Sequence, residues 1–420
     1  AFLAGAAGTA VAAGLPWQVR AAAIGGLPSS GTAGCDPFAT PPVFGGAVPT
    51  PESVFGFALG SQPVTSAQVG TYLDAVAAAT GQVVTGTFGM SVQGRPLRYA
   101  ILGRAANVSP SGLAGITTNA ARIRDPLTPQ AQADALAATT PAILWVIANV
   151  HGNEPSGCDA SLQVLYELAD RTDCAANQIL DNAIVVFVPT QNPDGREADQ
   201  RRNANGVDLN RDMFARTQPE TDAKVELMRL YPPLALADSH ESGYYQSFFP
   251  PNNDPVYAEV SDEALSWIND LYGPAISQQF KDRGWGFFHG KVYDFFSPEY
   301  NDTVTVNGFL GAGMTIEVYN DRAFDERFKR HYVVDVTTLT TAALARKSLW
   351  KQHHQAAVDA LSEGRRGRLE PNVRTFRLRK PIHTQVADRC VRRYIIRDDP
   401  NRAGEIQALG VISPHLIQII

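Results

Sequence analysis

Two histidines and a glutamate stand where they could share one metal ion. His151 and Glu154 are separated by two residues in HGNEPSG (151–157), directly after the apolar run AILWVIANV. That run is short and partly β-branched, as a buried strand would be. Both side chains then sit on the turn leaving the strand's carboxyl end, where open α/β sheets carry their sites. His240 closes a second apolar run, PPLALADSH, and supplies a third donor. Two imidazoles and one carboxylate leave the fourth position of a tetrahedral zinc open to water, which is the composition of a catalytic rather than a structural site.

Each piece alone carries little. A His followed three places later by a Glu arises by chance in many chains, and short motifs often match falsely. Glu317, in the strand-like GMTIE (313–317), could be an ordinary strand glutamate, and Arg201 with Arg202 could be a solvated basic loop. Competing chemistries fit less well. HESGY (240–244) begins like the H-E-x-x-H metalloprotease helix, but Tyr244 stands where the second His must be. GMSVQG (89–94) has the wrong spacing for a nucleophile elbow. The four cysteines form no C-x-x-C pair, which removes a zinc ribbon or a redox pair of that type.

Taken together, GRPLRYAILG, VHGNEPSG, NPDGRE, RRNANGVDLNRD and GMTIEV, in this order and at these separations, resemble the zinc carboxypeptidase family, whose type member is pancreatic carboxypeptidase A. The resemblance runs from about residue 65 to about 345. It implies one zinc ion held by His151, Glu154 and His240, with Asp208 orienting His151 through the ring's second N–H. Asp238, two residues before His240 and on the same strand face, is the rival for that orienting role. The resemblance makes Glu317 the general base toward the attacking water and then the proton donor to the leaving amine. Arg201 would stabilise the developing oxyanion, with Arg202 as its register alternative. Asn210 and Arg211 would clamp the substrate's free α-carboxylate, which a planar guanidinium binds bidentately. The family's mobile tyrosine does not align without a shift: Tyr300 is the choice and Tyr293 the alternative. The specificity pocket is expected between residues 300 and 316, where Asp302 could favour a basic side chain or simply form a turn.

The elements that must position these groups can be read from the pattern of the chain. SAQVGTYLDAVAAAT has helical spacing at Val69, Tyr72, Leu73 and Val76, and QVVTGTFG with LRYAILG reads as a hairpin around SVQGRP. CDASLQVLYELAD is a helix after the HGNE turn, NAIVVFVP a strand before NPDGRE, and PQAQADALAAT a covering helix. This alternation predicts an α/β fold: a mixed, mainly parallel twisted sheet with helices on both faces, plus a small C-terminal extension. The expected organisation is an export-signal remnant at 1–23, a linker or wrapped arm at 24–63, the catalytic domain at 64–362 and a basic accessory segment at 363–420.

Length and composition agree with an enzyme. The 420 residues, 44% hydrophobic and 19% charged, can bury a large core. A net charge of -6 gives no global attraction to nucleic acid or anionic lipid, so no nucleic-acid partner is expected. The basic C-terminal stretch reads as a solvated strand face, with a nucleic-acid or cell-wall surface as the alternative. The opening FLAGAAGTAVAAGLPWQVRAAA, with its small-residue cluster Ala21–Ala23, suggests bacterial export and resembles the apolar stretch after the arginine pair of a twin-arginine signal. It is too broken by Gly and Pro for a membrane span. Export would permit disulfides among Cys35, Cys158, Cys174 and Cys390. A helix of about a dozen residues between Cys158 and Cys174 would separate its ends by roughly 18 Å, so that pair needs a sharp reversal. The remaining histidines, His289, His331, His353, His354, His383 and His415, are expected to be structural or on the surface.

The resemblance therefore implies an exopeptidase removing C-terminal residues from peptides or proteins. The alternative is a cell-wall peptide amidase or small-molecule deacylase with the same zinc site, which need not clamp an α-carboxylate as Arg211 would. A non-hydrolytic binding module would have lost a ligand or Glu317, and none is missing.

Overall fold

Apolar runs without polar interruption become the centre of one eight-stranded sheet. In the computed structural model, which describes residues 35–243, 247–249, 261–289, 302, 306, 308 and 310–366, the strands are β1 (Val83–Met90), β2 (Pro96–Leu102), β3 (Ala142–Ala148), β4 (Ala183–Val188), β5 (Ala235–Ser242), β6 (Ser247–Phe249), β7 (Phe288–His289) and β8 (Ala312–Tyr319). Their order is β1-β2-β4-β3-β5-β8-β6-β7. β4, β3, β5 and β8 run parallel, while β2 meets β4, and β6 meets β8, antiparallel. Every residue of β3 and β4 is buried, as expected where a parallel sheet is covered on both faces.

The longer helices are α1 (Ser66–Ala79), α2 (Pro110–Arg124), α3 (Gln130–Thr139), α4 (Ser156–Asp170), α5 (Cys174–Leu180), α6 (Pro219–Leu230), α7 (Gly273–Asp282) and α8 (Phe324–Arg366). α1 starts at a capping box between Thr65 and Gln68 and buries Val69, Tyr72, Leu73 and Val76. Neighbouring side chains of β3 show that helices cover both faces. Trp145 Nε1 donates to Tyr231 O at the end of α6, at 2.8 Å. Ala148 points the other way and packs under Gly157 of α4, where an added Cβ would lie 2.3 Å from Ser239 Cβ.

The chain goes from β3 to β4 on one side and returns to β5 on the other. A crevice therefore opens at the carboxyl ends of β3 and β5, which is where such sheets bind ligands. His151 and His240 are both there. The described part of the arm is bound to α4: the Asp170 carboxylate, at the end of that helix, accepts N–H bonds from Gly46, Ala47 and Val48 at 2.9, 3.0 and 3.1 Å.

The 43-residue α8 is the element that the sequence pattern hides. It buries His331, Asp335, Thr337, Thr338, His353 and His354, so polar residues interrupt the apolar stripe by which a helix is read. Among the described residues, no helix is long and apolar enough to cross a membrane.

Asp335 is fully buried, with no hydrogen-bond partner for either oxygen among the described residues, and burial raises its pKa well above the ordinary 3.8. Below that ordinary value both folded and unfolded chains hold the proton and there is no cost. As pH rises through it, the unfolded chain ionises while the buried carboxyl does not, and stability falls by about 1.4 kcal/mol per pH unit until the folded-state pKa is reached. Asp335→Asn should therefore raise Tm at pH 7 and change it little at pH 3.5. Equal shifts at both pH values in thermal unfolding would sink this account.

Candidate metal centre

The turn after β3 is built by its own polar side chains. Asn149 adopts a left-handed φ of 60°, which Asn tolerates better than most residues. Its Nδ2 reaches the carbonyls of His151, Gly152 and Glu154 at 2.9, 3.3 and 3.2 Å. Asn192, from NPDGRE, donates to Val150 O and Arg201 O and accepts from Gly195 N, stitching this turn to the RRNANG loop. Gly152 is required by close approach: a Cβ there would lie 1.9 Å from the Gly195 carbonyl carbon.

That scaffold brings His151, Glu154 and His240 together, all buried, with their ligand atoms within 4.8 Å of one another. Nδ1 of His151 lies 2.8 Å from Glu154 Oε1, and Nδ1 of His240 lies 3.0 Å from Oε2. Each ring's far nitrogen meets a carboxylate. His151 Nε2 is 3.2 Å from Asp208 Oδ1, and His240 Nε2 is 2.8 Å from Asp238 Oδ2. The two aspartates are therefore not rivals, since each faces a different imidazole. Such partners fix the tautomer that leaves Nδ1 free for a metal.

The electrostatics suit a cation. Burial alone would push Glu154 up, but the two imidazoles outweigh it and hold the carboxylate well below its usual range. Burial likewise opposes charge on His240, yet Asp238 and Glu154 raise its pKa well above the ordinary value. Asp208 also falls below the usual range, because His151 and Arg201 overcome its desolvation. Two nitrogens and a carboxylate in a buried cleft with charge-paired outer nitrogens form a donor set that fits zinc. Asp238→Asn and Asp208→Asn should each weaken metal binding about 10–100-fold, measured by competition with a coloured chelator. Unchanged affinity in both would remove the aspartates from the site.

The RRNANGVDLNR loop separates its arginines. Arg201 pairs with Asp208 at 2.9 Å and comes within 3.2 Å of His151 Nδ1 and 3.7 Å of Glu154 Oε1. Arg202 turns back to Gly206 O and stays exposed. Asp208 caps the short helical turn Leu209–Arg211 by accepting from Asn210 N. Asn210 is buried and Arg211 exposed, with Arg211 Nη1 on Asn210 O at 2.7 Å. Glu317 is the direct register partner of His240 across β5 and β8, so both side chains leave the sheet on the same face. Tyr293 and Tyr300 lie outside the described residues.

Residues with no sequence signal also support the site. Glu241 points away from His240, accepts from Ser156 N and Oγ at 2.8 and 2.6 Å, and is ion-paired with Arg327 of α8. Its backbone N–H donates to Glu154 Oε2 at 3.0 Å. The HES lookalike thus anchors the start of α4 beside Glu154. Asp302 is fully buried and ion-paired with Lys224 of α6 at 2.7 Å.

A family model described as zinc carboxypeptidase matches residues 69–295 of the chain. The chain belongs to the zinc carboxypeptidase family. It is 34% identical over 115 residues to Carboxypeptidase 2 of Trichophyton tonsurans, covering 27% of this chain and 21% of that protein. It is 32% identical over 160 residues to Carboxypeptidase D of Homo sapiens, covering 33% and 12%. The chain thus spans about a fifth or less of the length of these curated relatives. Solved structures support the fold. A metallo-carboxypeptidase from Pseudomonas aeruginosa aligns at a TM-score of 0.50 and 19% identity over 68% of this chain and 70% of that one. Carboxypeptidase A from Helicoverpa armigera aligns at 0.50 and 14% over 70% and 79%. The mixed α/β expectation is borne out by both the sheet and these likenesses.

Proposed function

We propose that this zinc carboxypeptidase family member is an exopeptidase that hydrolyses the C-terminal peptide bond of peptides or proteins with a single zinc ion. The observation that carries the reading is the convergence of His151, Glu154 and His240, buried and within 4.8 Å, at the open end of β3 and β5. When bound, the ion supplies Lewis acidity, acidifying a water and polarising a carbonyl.

The chain's own residues supply the rest. Asp208 and Asp238 hold the two imidazoles with Nδ1 inward. Glu317 takes a proton from the attacking water and returns it to the leaving amine. Arg201, already against the ligand set, faces the charge that develops on the scissile carbonyl. Asn210 and Arg211 hold the substrate's terminal carboxylate, with a tyrosine of the 293–300 stretch, Tyr300 or Tyr293, closing over it. The Ala/Gly-rich leader supports action in the exported space of a bacterium, reached by a twin-arginine-type signal.

The test is digestion of a peptide library with free C-termini beside the same library C-terminally amidated, each with and without chelator, read by mass spectrometry. Chelator-sensitive loss of single C-terminal residues from the free-acid peptides alone is expected. Cleavage of both libraries would remove the carboxylate clamp, and two intact libraries would favour the amidase or deacylase alternative.

A further inference from the structure

The described cysteines have different surroundings. Cys158, in the first turn of α4, is buried with its Sγ 3.5 Å from Thr190 Oγ1, and burial pushes its thiol up to about 12. Cys174 is exposed and opens α5, while Cys35 is half-buried at the start of the described arm. Residues four apart share a helix face, and Gln178, four after Cys174, donates its Nε2 to Cys35 O at 2.8 Å. The Cys35 and Cys174 side chains are themselves in hydrogen-bonding contact. The arm's register is fixed next to them. Asp173, which caps α5, accepts from Val43 N at 3.0 Å, and Thr172 N donates to Val43 O at 2.8 Å. Phe44 bridges to Arg171, and Gly45 N donates to Asp170 O at 2.8 Å.

We propose that Cys35 and Cys174 are joined by a disulfide that clamps the arm onto the α4–α5 corner. The oxidant is an external disulfide, either a small-molecule one such as oxidised glutathione or that of a thiol–disulfide oxidoreductase. The exposed Cys174 thiolate attacks one sulfur of that disulfide and expels the other as a thiolate, which takes up the proton Cys174 gave up. Cys35, deprotonated in turn, attacks the Cys174 sulfur of the mixed disulfide and expels the second thiolate, which takes the second proton. Two cysteine thiols are oxidised and one disulfide is reduced to two thiols.

The closed loop contains β1 to β3 and α1 to α4, and long loops constrain the unfolded chain most. α4 begins two residues after Glu154 and ends at Asp170, where the arm is bound. The clamp thus secures the far end of the helix whose first turn carries the metal-site loop.

The full chain is equilibrated with glutathione at an oxidising ratio, alkylated, digested without reductant and analysed by mass spectrometry. The expected product is a linked pair of peptides containing Cys35 and Cys174, two hydrogens lighter than the reduced pair, with Cys158 alkylated only after denaturation. In parallel, Cys35→Ser and Cys174→Ser should each lower the Tm of the oxidised protein by about 5 °C or more and leave the Tm of the reduced protein nearly unchanged. Finding both cysteines alkylated, or Cys174 linked to Cys390, overturns the proposal. So does a Tm loss that is equal under oxidising and reducing conditions.

Discussion

Glu317→Gln is expected to lower kcat by about a thousandfold, within the 10²–10⁴ range for loss of a positioned general acid–base group, while KM and zinc content stay close to those of the parent. The amide is nearly isosteric with the carboxylate, so the buried site keeps its packing, but it cannot take a proton from water. The prediction comes from register. Glu317 lies directly beside His240 across two parallel strands, so a side chain with 6% exposure shares the face of His240 at the open end of the sheet. Steady-state kinetics on a free-acid peptide, with zinc measured on the same preparation, separate the possibilities. A kcat within tenfold of the parent would transfer the base to another group. A fall in zinc content matching the fall in kcat would make Glu317 a metal-site residue instead.

How much of this was legible divides along physical lines. β3 and β4 could be read because strands buried on both faces are written as unbroken apolar runs. The pair His151 and Glu154 is legible as candidate ligands because both fall in one turn. His240 was found as the end of another apolar run. What pattern could not give is pairing across distant segments. Strand periodicity places Asp238 on His240's face and so makes it a competitor of Asp208, yet only the fold shows that each histidine has its own aspartate. Glu241 looked like a fragment of a helical zinc motif, and its true partner, Arg327, comes from α8, whose buried histidines and threonines hide its apolar stripe. Lys224 gave no signal, since a lysine in an amphipathic helix reads as solvated and becomes informative only once it is seen buried against Asp302. Asn149 and Asn192 could have been suspected, because each is a turn-forming residue just after an apolar run.

The second large effect belongs to Glu154. Its two oxygens face the two imidazoles, 2.8 Å from His151 Nδ1 and 3.0 Å from His240 Nδ1, and Oε2 also accepts the Glu241 N–H. Glu154→Ala leaves two nitrogen donors where a catalytic zinc needs three protein ligands. Zinc content should fall to background, and activity should drop by about 10⁴-fold or more, since the water and the carbonyl lose their Lewis acid together. Stability should separate metal loss from misfolding. In the parent, added zinc should raise Tm, because an ion that binds only the folded chain stabilises it by mass action. The variant should show no such zinc-dependent rise while still unfolding cooperatively, because the arm, α4 and the sheet keep their own contacts. Retained stoichiometric zinc in Glu154→Ala would contradict the ligand assignment. Loss of the cooperative transition would mean that Glu154 holds the fold as well, and Glu154→Gln, which keeps the Glu241 N–H acceptor but removes the charge, then decides whether the metal is lost on its own.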